Sequence, residues 1–141
     1  MIDKNYNARI INFANSRELP ENSLNISLNP SSSMQFRAPE LIIGDHYDQS
    51  IDVFSFGSIL FELLTGKFPF EELKKKDIEN NVIDGLRPKF PNGTPVSLAN
   101  LINACWCQDS IKRPSFAEII KIMIKENIAF PSDEDTDLVN E

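Results

Sequence analysis

Residues 51–64 constrain the fold of this chain more than any other segment. Their apolar side chains fall on nearly every face of a helix, which predicts a central helix surrounded by its neighbours. Ser50 stands at the position of a helix cap, and Gly66 follows the last turn, where a C-terminal cap favours glycine. Asp52 and Glu62 interrupt the apolar run, which is shorter than the roughly 20 apolar residues that cross a bilayer. We therefore expect this helix to lie in a core and not to contact a membrane.

Weaker patterns on either side of this helix predict a mainly helical domain. Residues 1–14 have the turn-rich centre and apolar end of a small β-hairpin. Residues 15–37 are polar and lack periodicity, and such long loops are uncommon in compact domains unless they serve a function. Three further helices are predicted, over about residues 73–84, about residues 97–107, and after Ser115, where Glu118 completes a capping box.

The charge distribution limits the partners of the chain. The formal net charge is -7, and five acids stand in the last ten residues with no base among them: Asp133, Glu134, Asp135, Asp137 and Glu141. Because such a chain repels phosphate backbones, we expect no nucleic acid partner. Residues 129–141 are predicted to be an acidic, disordered tail, with a docking peptide as the alternative.

The two cysteines point to a reducing compartment. Cys105 and Cys107 stand two positions apart on a predicted helix, so their side chains face different sides of it. Two thiols cannot complete a tetrahedral zinc site, and we expect no metal site. We interpret both as small buried side chains of a cytoplasmic protein.

Three short motifs follow one another in a fixed order. They are residues 37–40 (Arg-Ala-Pro-Glu), residues 52–57 (Asp-Val-Phe-Ser-Phe-Gly), and residues 105–116, which contain Cys-Trp and Arg-Pro-Ser-Phe. In this order they resemble the C-terminal lobe of eukaryotic protein kinases. The last motif is most similar to tyrosine kinases and tyrosine-kinase-like enzymes, whereas residues 32–37 resemble the Gly-Thr-x-x-Tyr-x pattern of serine/threonine kinases.

This resemblance covers about residues 2–128 and implies a fold and a set of structural positions. The fold would be mainly α, the helical C-terminal lobe of a kinase domain with a small N-terminal β-hairpin, and residues 1–128 would be a partial kinase domain. The motif positions expected to have structural roles are Ala38, Pro39, Glu40, Asp52, Gly57, Trp106 and Arg113.

The resemblance also implies particular contacts. Glu40 and Arg113 would form a buried ion pair that joins two motifs. Asp52 would accept hydrogen bonds from the backbone of a catalytic loop, with a plain acid at a helix start as the alternative. Trp106 would be a core residue near Pro114 and Phe116.

The segment before the Ala-Pro-Glu motif would be the kinase activation segment, residues 12–40. The positions expected to lie near substrate are Ser32, Ser33, Met34 and Phe36. Asn12 stands where the family has the metal-binding Asp of Asp-Phe-Gly, and Ala14 stands where it has Gly. An amide offers Mg²⁺ a neutral carbonyl where the ion prefers a carboxylate, so Asn12 is a degraded metal position.

Phosphoryl transfer needs groups that the 141 residues do not contain. The 141 residues include no Gly-rich loop and no Val-Ala-Ile-Lys strand, and the catalytic loop of the family would end just before Met1. We therefore expect no catalytic residue here and no bound cofactor, although the intact family binds ATP and Mg²⁺.

Two functions remain open at this point. The chain would be a truncated piece of an ATP-dependent protein Ser/Thr/Tyr kinase and inactive by itself, or a pseudokinase-like module that binds proteins without catalysis. An unrelated helical bundle is disfavoured because the three motifs occur in order. The expected partner is the missing kinase portion or another protein. Self-association is also expected, because apolar surface of the central helix should face water at one or more of five positions: Val53, Phe54, Phe56, Phe61 and Leu64.

Overall fold

Five α-helices form the framework of the residues that the computed structural model describes, which are 1–13, 16, 34–44 and 47–130. They are α1 (Pro39–Ile43), α2 (Ser50–Thr65), α3 (Lys75–Ile83), α4 (Val96–Cys105) and α5 (Phe116–Lys125). Two short 3-10 turns, Met34–Phe36 and Ser110–Lys112, precede α1 and α5. The predicted mainly helical fold class is thereby confirmed. None of the helices in these ranges is long and apolar enough to cross a membrane.

The predicted N-terminal hairpin is present in a reduced form. A single antiparallel bridge joins Ile2 to Ala8, and the Asp3 carboxylate closes the turn by accepting the amides of Asn5 and Asn7 at 2.9 and 3.0 Å. Ile10 is 85% exposed and continues no ladder within the described residues. A two-stranded element is marginal unless one face is buried, and this one is exposed.

Helix α2 lies at the centre of the core, as its pattern predicted. Its buried positions are Val53, Phe54, Gly57, Ser58, Leu60 and Phe61. It packs chiefly against α4, whose residues Leu98, Leu101, Ile102 and Cys105 are buried. Residues 1–13 bury almost nothing, so the hydrophobic core belongs to the helices.

A glycine allows α2 and the end of α4 to approach closely. A Cβ atom on Gly57 would lie 2.8 Å from Cβ of Cys105 and 3.0 Å from Cδ1 of Trp106, closer than side chains tolerate. Trp106 is 3% exposed, and its Nε1 donates to Oγ of Ser58 at 3.0 Å. The missing side chain of Gly57 therefore sets the distance between the two helices.

The tryptophan ring is in the core, as expected, and packs against two phenylalanines that the sequence did not single out. Its centroid lies 5.4 Å from that of Phe61 and 6.4 Å from that of Phe90. Phe116, which was expected beside it, packs against Phe56 with a centroid distance of 5.6 Å. The reason is that Phe116 opens α5, whereas Trp106 ends α4 and faces the middle of α2.

Some helix ends agree with the predicted capping residues and others do not. Gly66 caps α2 with φ of 67°, and Ser115 and Glu118 form the predicted capping box of α5. Ser50, however, is the first residue of α2 and not its cap, because the Asp48 carboxylate accepts the Ser50 amide at 2.8 Å. Helix α4 likewise begins before Ser97, directly after Pro95.

The apolar surface that α2 leaves exposed differs from the expected one. Of the five positions named from the sequence, Val53, Phe54 and Phe61 are buried in the core, where Phe61 contacts Trp106 and Phe54 contacts two arginines. Phe56 and Leu64 are half-buried. The exposed positions are Ile59 and Leu63, at 44% and 64%.

Candidate functional site

The Ala-Pro-Glu motif begins a short helix whose first residue, Pro39, is buried. Ala38 is fully buried, and its carbonyl accepts the amides of Leu41 and Ile42 in the first turn of α1. Pro39 occupies the first helical position, where its missing N–H costs nothing and its fixed φ suits a helix. Gly44 ends the helix with φ of 79°. Helix α1 packs against α3, and this packing fixes the position of Glu40.

An ion pair joins this motif to the loop before α5. Arg113 Nη1 donates to Oε1 of Glu40 at 2.6 Å, and Nη2 donates to Oε2 at 2.9 Å, across 73 positions of sequence. The Arg113 side chain is fully buried and that of Glu40 is 13% exposed. The bidentate geometry is the strongest that a guanidinium makes with a carboxylate. The pair implied by the motifs is thus present in the structure.

Arg113 also fastens two other elements. Its Nε donates to the carbonyl of Cys107 at 2.8 Å, and Nη1 donates to the carbonyl of Ser50 at 3.1 Å. The first contact fixes the segment after α4, and the second fixes the start of α2. One side chain therefore ties α1, α2 and the residues on both sides of Ser110–Lys112 together.

A second arginine, Arg87, contacts the same aromatic ring as Arg113. The guanidinium carbons of Arg87 and Arg113 lie 4.9 and 5.1 Å from the centroid of Phe54. Arg87 donates to the carbonyls of Val82, Leu86 and Trp106 and to Oε1 of Gln108, all of them neutral oxygens. Burial, followed by the charge of Arg113, lowers the pKa of Arg87 to about 10, so it stays cationic at neutral pH.

The residues before the Ala-Pro-Glu motif lie against α2. Met34 is buried, and the hydroxyl of Ser55 donates to the carbonyl of Phe36 at 2.7 Å. The ring of Phe36 meets that of Phe68 edge-on, with centroids 6.0 Å apart. These contacts hold one end of the expected activation segment. Ser32 and Ser33 lie outside the described residues.

The expected metal position does not fit Mg²⁺. Asn12 is exposed and has φ of 65°, a left-handed conformation that Asn tolerates better than most residues. Its amide oxygen is neutral, and no three His, Cys, Asp or Glu side chains converge anywhere in the described ranges. Ala14, the other altered position, lies outside them. An amide oxygen is a weaker ligand for Mg²⁺ than the carboxylate that the ion prefers.

Asp52 occupies the first turn of α2 and is exposed. Loss of part of its hydration to neighbouring groups raises its pKa above the ordinary value. A carboxylate at this end of a helix is favoured by the backbone dipole. Since the side chain is accessible, it can accept hydrogen bonds from a further segment.

Sequence reasoning missed the contributions of Ser55, Ser58 and Arg87. The hydrogen bond of Ser58 could not be predicted, because a single small polar residue in an apolar helix gives no periodic signal. Its partner Trp106 was identified as a core residue. Arg87 stands in a Pro/Gly-rich loop, where a charged side chain is expected to be solvated. Ser55 could have been identified by its position inside the second motif, residues 52–57.

Comparisons with known proteins give one consistent result. A family profile described as protein tyrosine and serine/threonine kinase matches residues 1–123. The chain is 38% identical over 124 residues to a probable serine/threonine-protein kinase of Dictyostelium discoideum, which is 87% of this chain and 13% of that protein. It is 35% identical over 125 residues to a putative serine/threonine-protein kinase/receptor of Acanthamoeba polyphaga mimivirus, or 89% of this chain and 7% of that protein.

A third relative has a broader description. The dual specificity protein kinase pyk3 of Dictyostelium discoideum is 36% identical over 121 residues, which is 85% of this chain and 9% of that protein. The chain therefore spans a small part of the length of the curated relatives it matches.

Proposed function

The chain belongs to the protein tyrosine and serine/threonine kinase family, and we propose that it serves as the substrate-facing helical part of a catalytic domain. That domain would transfer phosphate from ATP to hydroxyl groups of protein Ser, Thr or Tyr residues. Residues 12–40 would be its activation segment, with Ser32, Ser33, Met34 and Phe36 near the substrate. We propose this activity for the whole protein, because the chain spans only 7–13% of the length of the relatives named above.

The bidentate pair between Glu40 and Arg113 is the observation that carries this proposal. It connects the end of the expected activation segment to the start of α2 and to the loop before α5 through one buried guanidinium. Such a connection positions a loop rather than performing chemistry. Because phosphoryl transfer depends mainly on positioning and charge neutralisation, a rigid support for that loop is a necessary part of the enzyme.

The 141 residues themselves are proposed to be inactive and to bind neither ATP nor Mg²⁺ tightly. Asn12 supplies no carboxylate, and losing metal contacts removes several kcal/mol of transition-state stabilisation, at about tenfold in rate for each 1.36 kcal/mol. The test incubates the chain with radiolabelled ATP and generic protein substrates. We expect no incorporation above a mock preparation. Incorporation that Asn12→Ala abolishes would contradict the proposal.

Asn12 also favours a second candidate function, a kinase-like module that binds a protein partner without catalysis. Sequencing transcripts across the codon of Met1 separates the two candidates. A reading frame that continues upstream into a His-Arg-Asp motif and a Gly-rich loop supports the kinase, and the longer product should then phosphorylate substrate. A frame that lacks these motifs, together with a product that does not label substrate, supports the module.

Exposed apolar residues support a protein partner for either candidate. Ile59 and Leu63 on α2, and Ile10 and Phe13 in the N-terminal segment, are 44–85% exposed. We propose that they contact the rest of a kinase domain, another protein or a second copy, and neither nucleic acid nor a membrane. Sedimentation of the isolated chain at several concentrations should reveal self-association, and a monomer at every concentration would contradict that part. Free thiols at Cys105 and Cys107 are consistent with a proposed cytoplasmic location.

A further inference from the structure

A cavity of about 560 Å³ opens beside the end of α2, at some distance in sequence from the Ala-Pro-Glu motif. The loop that leads to α3 and residues 86–91 form its other walls. Phe61, Phe68 and Phe90 contribute aromatic surface, and Phe68 is 45% exposed. The cavity thus offers apolar contacts that are accessible from solvent.

The charge of this cavity is opposite to that of the chain. Lys67, Arg87 and Lys89 line it together with a single carboxylate, that of Glu72. The whole chain has a net charge of -7. The positive charge of Arg87 is not neutralised by its hydrogen bonds, because these go to neutral oxygens. An occupant that combines acidic and apolar groups would match both properties of the site.

The C-terminal residues of the same chain have this chemistry. Residues 131–141 lie outside the described part of the structure, and their sequence combines five acids with the apolar pair Leu138 and Val139. Eleven residues reach up to about 36 Å when extended, whereas a domain of this size has a radius of gyration of about 13 Å. Leu138 and Val139, eight and nine residues after Phe130, can therefore lie up to about 30 Å from it, a distance comparable to the width of such a domain.

We propose that residues 133–139 bind this cavity in cis, with their carboxylates at Lys67 and Lys89 and with Leu138 and Val139 against the phenylalanine rings. Attachment to the same chain gives the tail an effective concentration in the millimolar range, so that even a weak contact is populated. Because Phe68 lines the cavity and also meets Phe36 edge-on, an occupied cavity borders the segment that precedes the Ala-Pro-Glu motif.

Carbodiimide cross-linking of the full 141-residue chain tests the contact directly. The reagent joins a lysine amine to a carboxylate only where the two touch, and mass spectrometry identifies the joined peptides. We expect tail carboxylates to be joined to Lys67 and Lys89 about tenfold more often than to Lys4 and Lys121, a ratio that about 1.4 kcal/mol produces. All four lysines are exposed, and Lys4 and Lys121 lie outside the cavity.

Two controls make the result specific. Mixing ¹⁵N-labelled and unlabelled chains separates links within one chain from links between copies. The variant Lys67→Glu/Lys89→Glu should release the tail, which faster hydrogen exchange of the tail amides would show, whereas Lys4→Glu/Lys121→Glu, with the same change in charge, should keep the links at Lys67 and Lys89. Circular dichroism confirms that both variants are folded.

Each alternative outcome would overturn the proposal. Links spread evenly over the four lysines would mean that the tail has no preferred site. Links at Lys67 and Lys89 found only between copies would assign the cavity to the tail of a second chain. Loss of these links in the Lys4→Glu/Lys121→Glu variant would mean that overall charge, and not the cavity, attracts the tail.

Discussion

Replacing Arg113 with Ala is expected to remove a large part of the stability of this fold. The change deletes two hydrogen bonds to the Glu40 carboxylate and two to the carbonyls of Cys107 and Ser50. It also leaves Glu40, whose side chain is 13% exposed, without its cation. Removing one partner of a buried pair costs about 3–5 kcal/mol, because the other charge remains desolvated. That is about a fifth or more of a typical net stability of about 5–15 kcal/mol.

Thermal and urea unfolding followed by circular dichroism at 222 nm measure this loss. At about 3–4 °C per kcal/mol for a chain of this length, Arg113→Ala should lower the melting temperature by roughly 9–20 °C. The matched control is Lys112→Ala, the adjacent residue. Its ion pair with Asp109 is exposed, at 72% and 46%, and should contribute less than about 1 kcal/mol.

A double-mutant cycle isolates the pair from the other contacts of Arg113. Glu40→Gln alone should destabilise strongly, and Arg113→Ala combined with Glu40→Gln should cost clearly less than the two single changes added together. Arg113→Lys keeps the charge but loses the bidentate geometry, and should fall between the native chain and Arg113→Ala. If the melting temperature of Arg113→Ala matched that of Lys112→Ala, the pair would not be buried in solution and the reasoning would be refuted.

Three further predictions concern the core, a helix cap and the thiols. Gly57→Ala should lower the free energy of unfolding, measured in urea, by about 1–3 kcal/mol, because the new Cβ would overlap Cβ of Cys105 and the Trp106 ring. An unchanged urea midpoint would mean that α2 and α4 can move apart without loss of stability. Ser115→Ala should lower the free energy of unfolding by about 1 kcal/mol, because it removes the capping box of α5. Ser97→Ala, inside α4, should lower it by less, and equal losses would contradict a specific role of Ser115 as a cap. Iodoacetamide at pH 8 should modify Cys107 and spare Cys105 in the folded chain, because burial raises the pKa of the Cys105 thiol to about 12 and keeps it protonated; mass spectra showing Cys105 modified first would contradict this.

The sequence predicted the centre of the fold better than its surface. The burial of α2 followed from apolar residues on all its faces, because such a helix has no polar side to present to water. Which of its residues stay exposed depends on where α4 and α5 pack, and periodicity contains no information about that. The sequence therefore missed Ile59 and Leu63, and of its five candidates for exposed apolar surface only Phe56 and Leu64 are partly exposed.

The candidate site shows the same division between local and long-range information. Glu40 and Arg113 are 73 positions apart, and only the resemblance of their motifs to a known family suggested that they meet. Arg87 has no such motif, and its role depends on carbonyls that the folded backbone brings together. The difference between buried Cys105 and half-exposed Cys107 follows from the end of α4 at Cys105, two residues before the predicted end.

The position of Trp106 determines what an optical experiment on this protein can detect. It is the only tryptophan, and its ring forms a cluster with those of Phe61 and Phe90, while its Nε1 donates to Oγ of Ser58. Its emission therefore reports the junction of α2 and α4, whereas the turn at residues 1–9 is held mainly by Asp3 and its neighbours. Tyr6 is 90% exposed, so its signal changes little when that turn opens. A fluorescence transition will give the free energy of the helical core alone, and opening of the N-terminal turn will be visible only in the faster hydrogen exchange of amides such as Asn7 and Arg9.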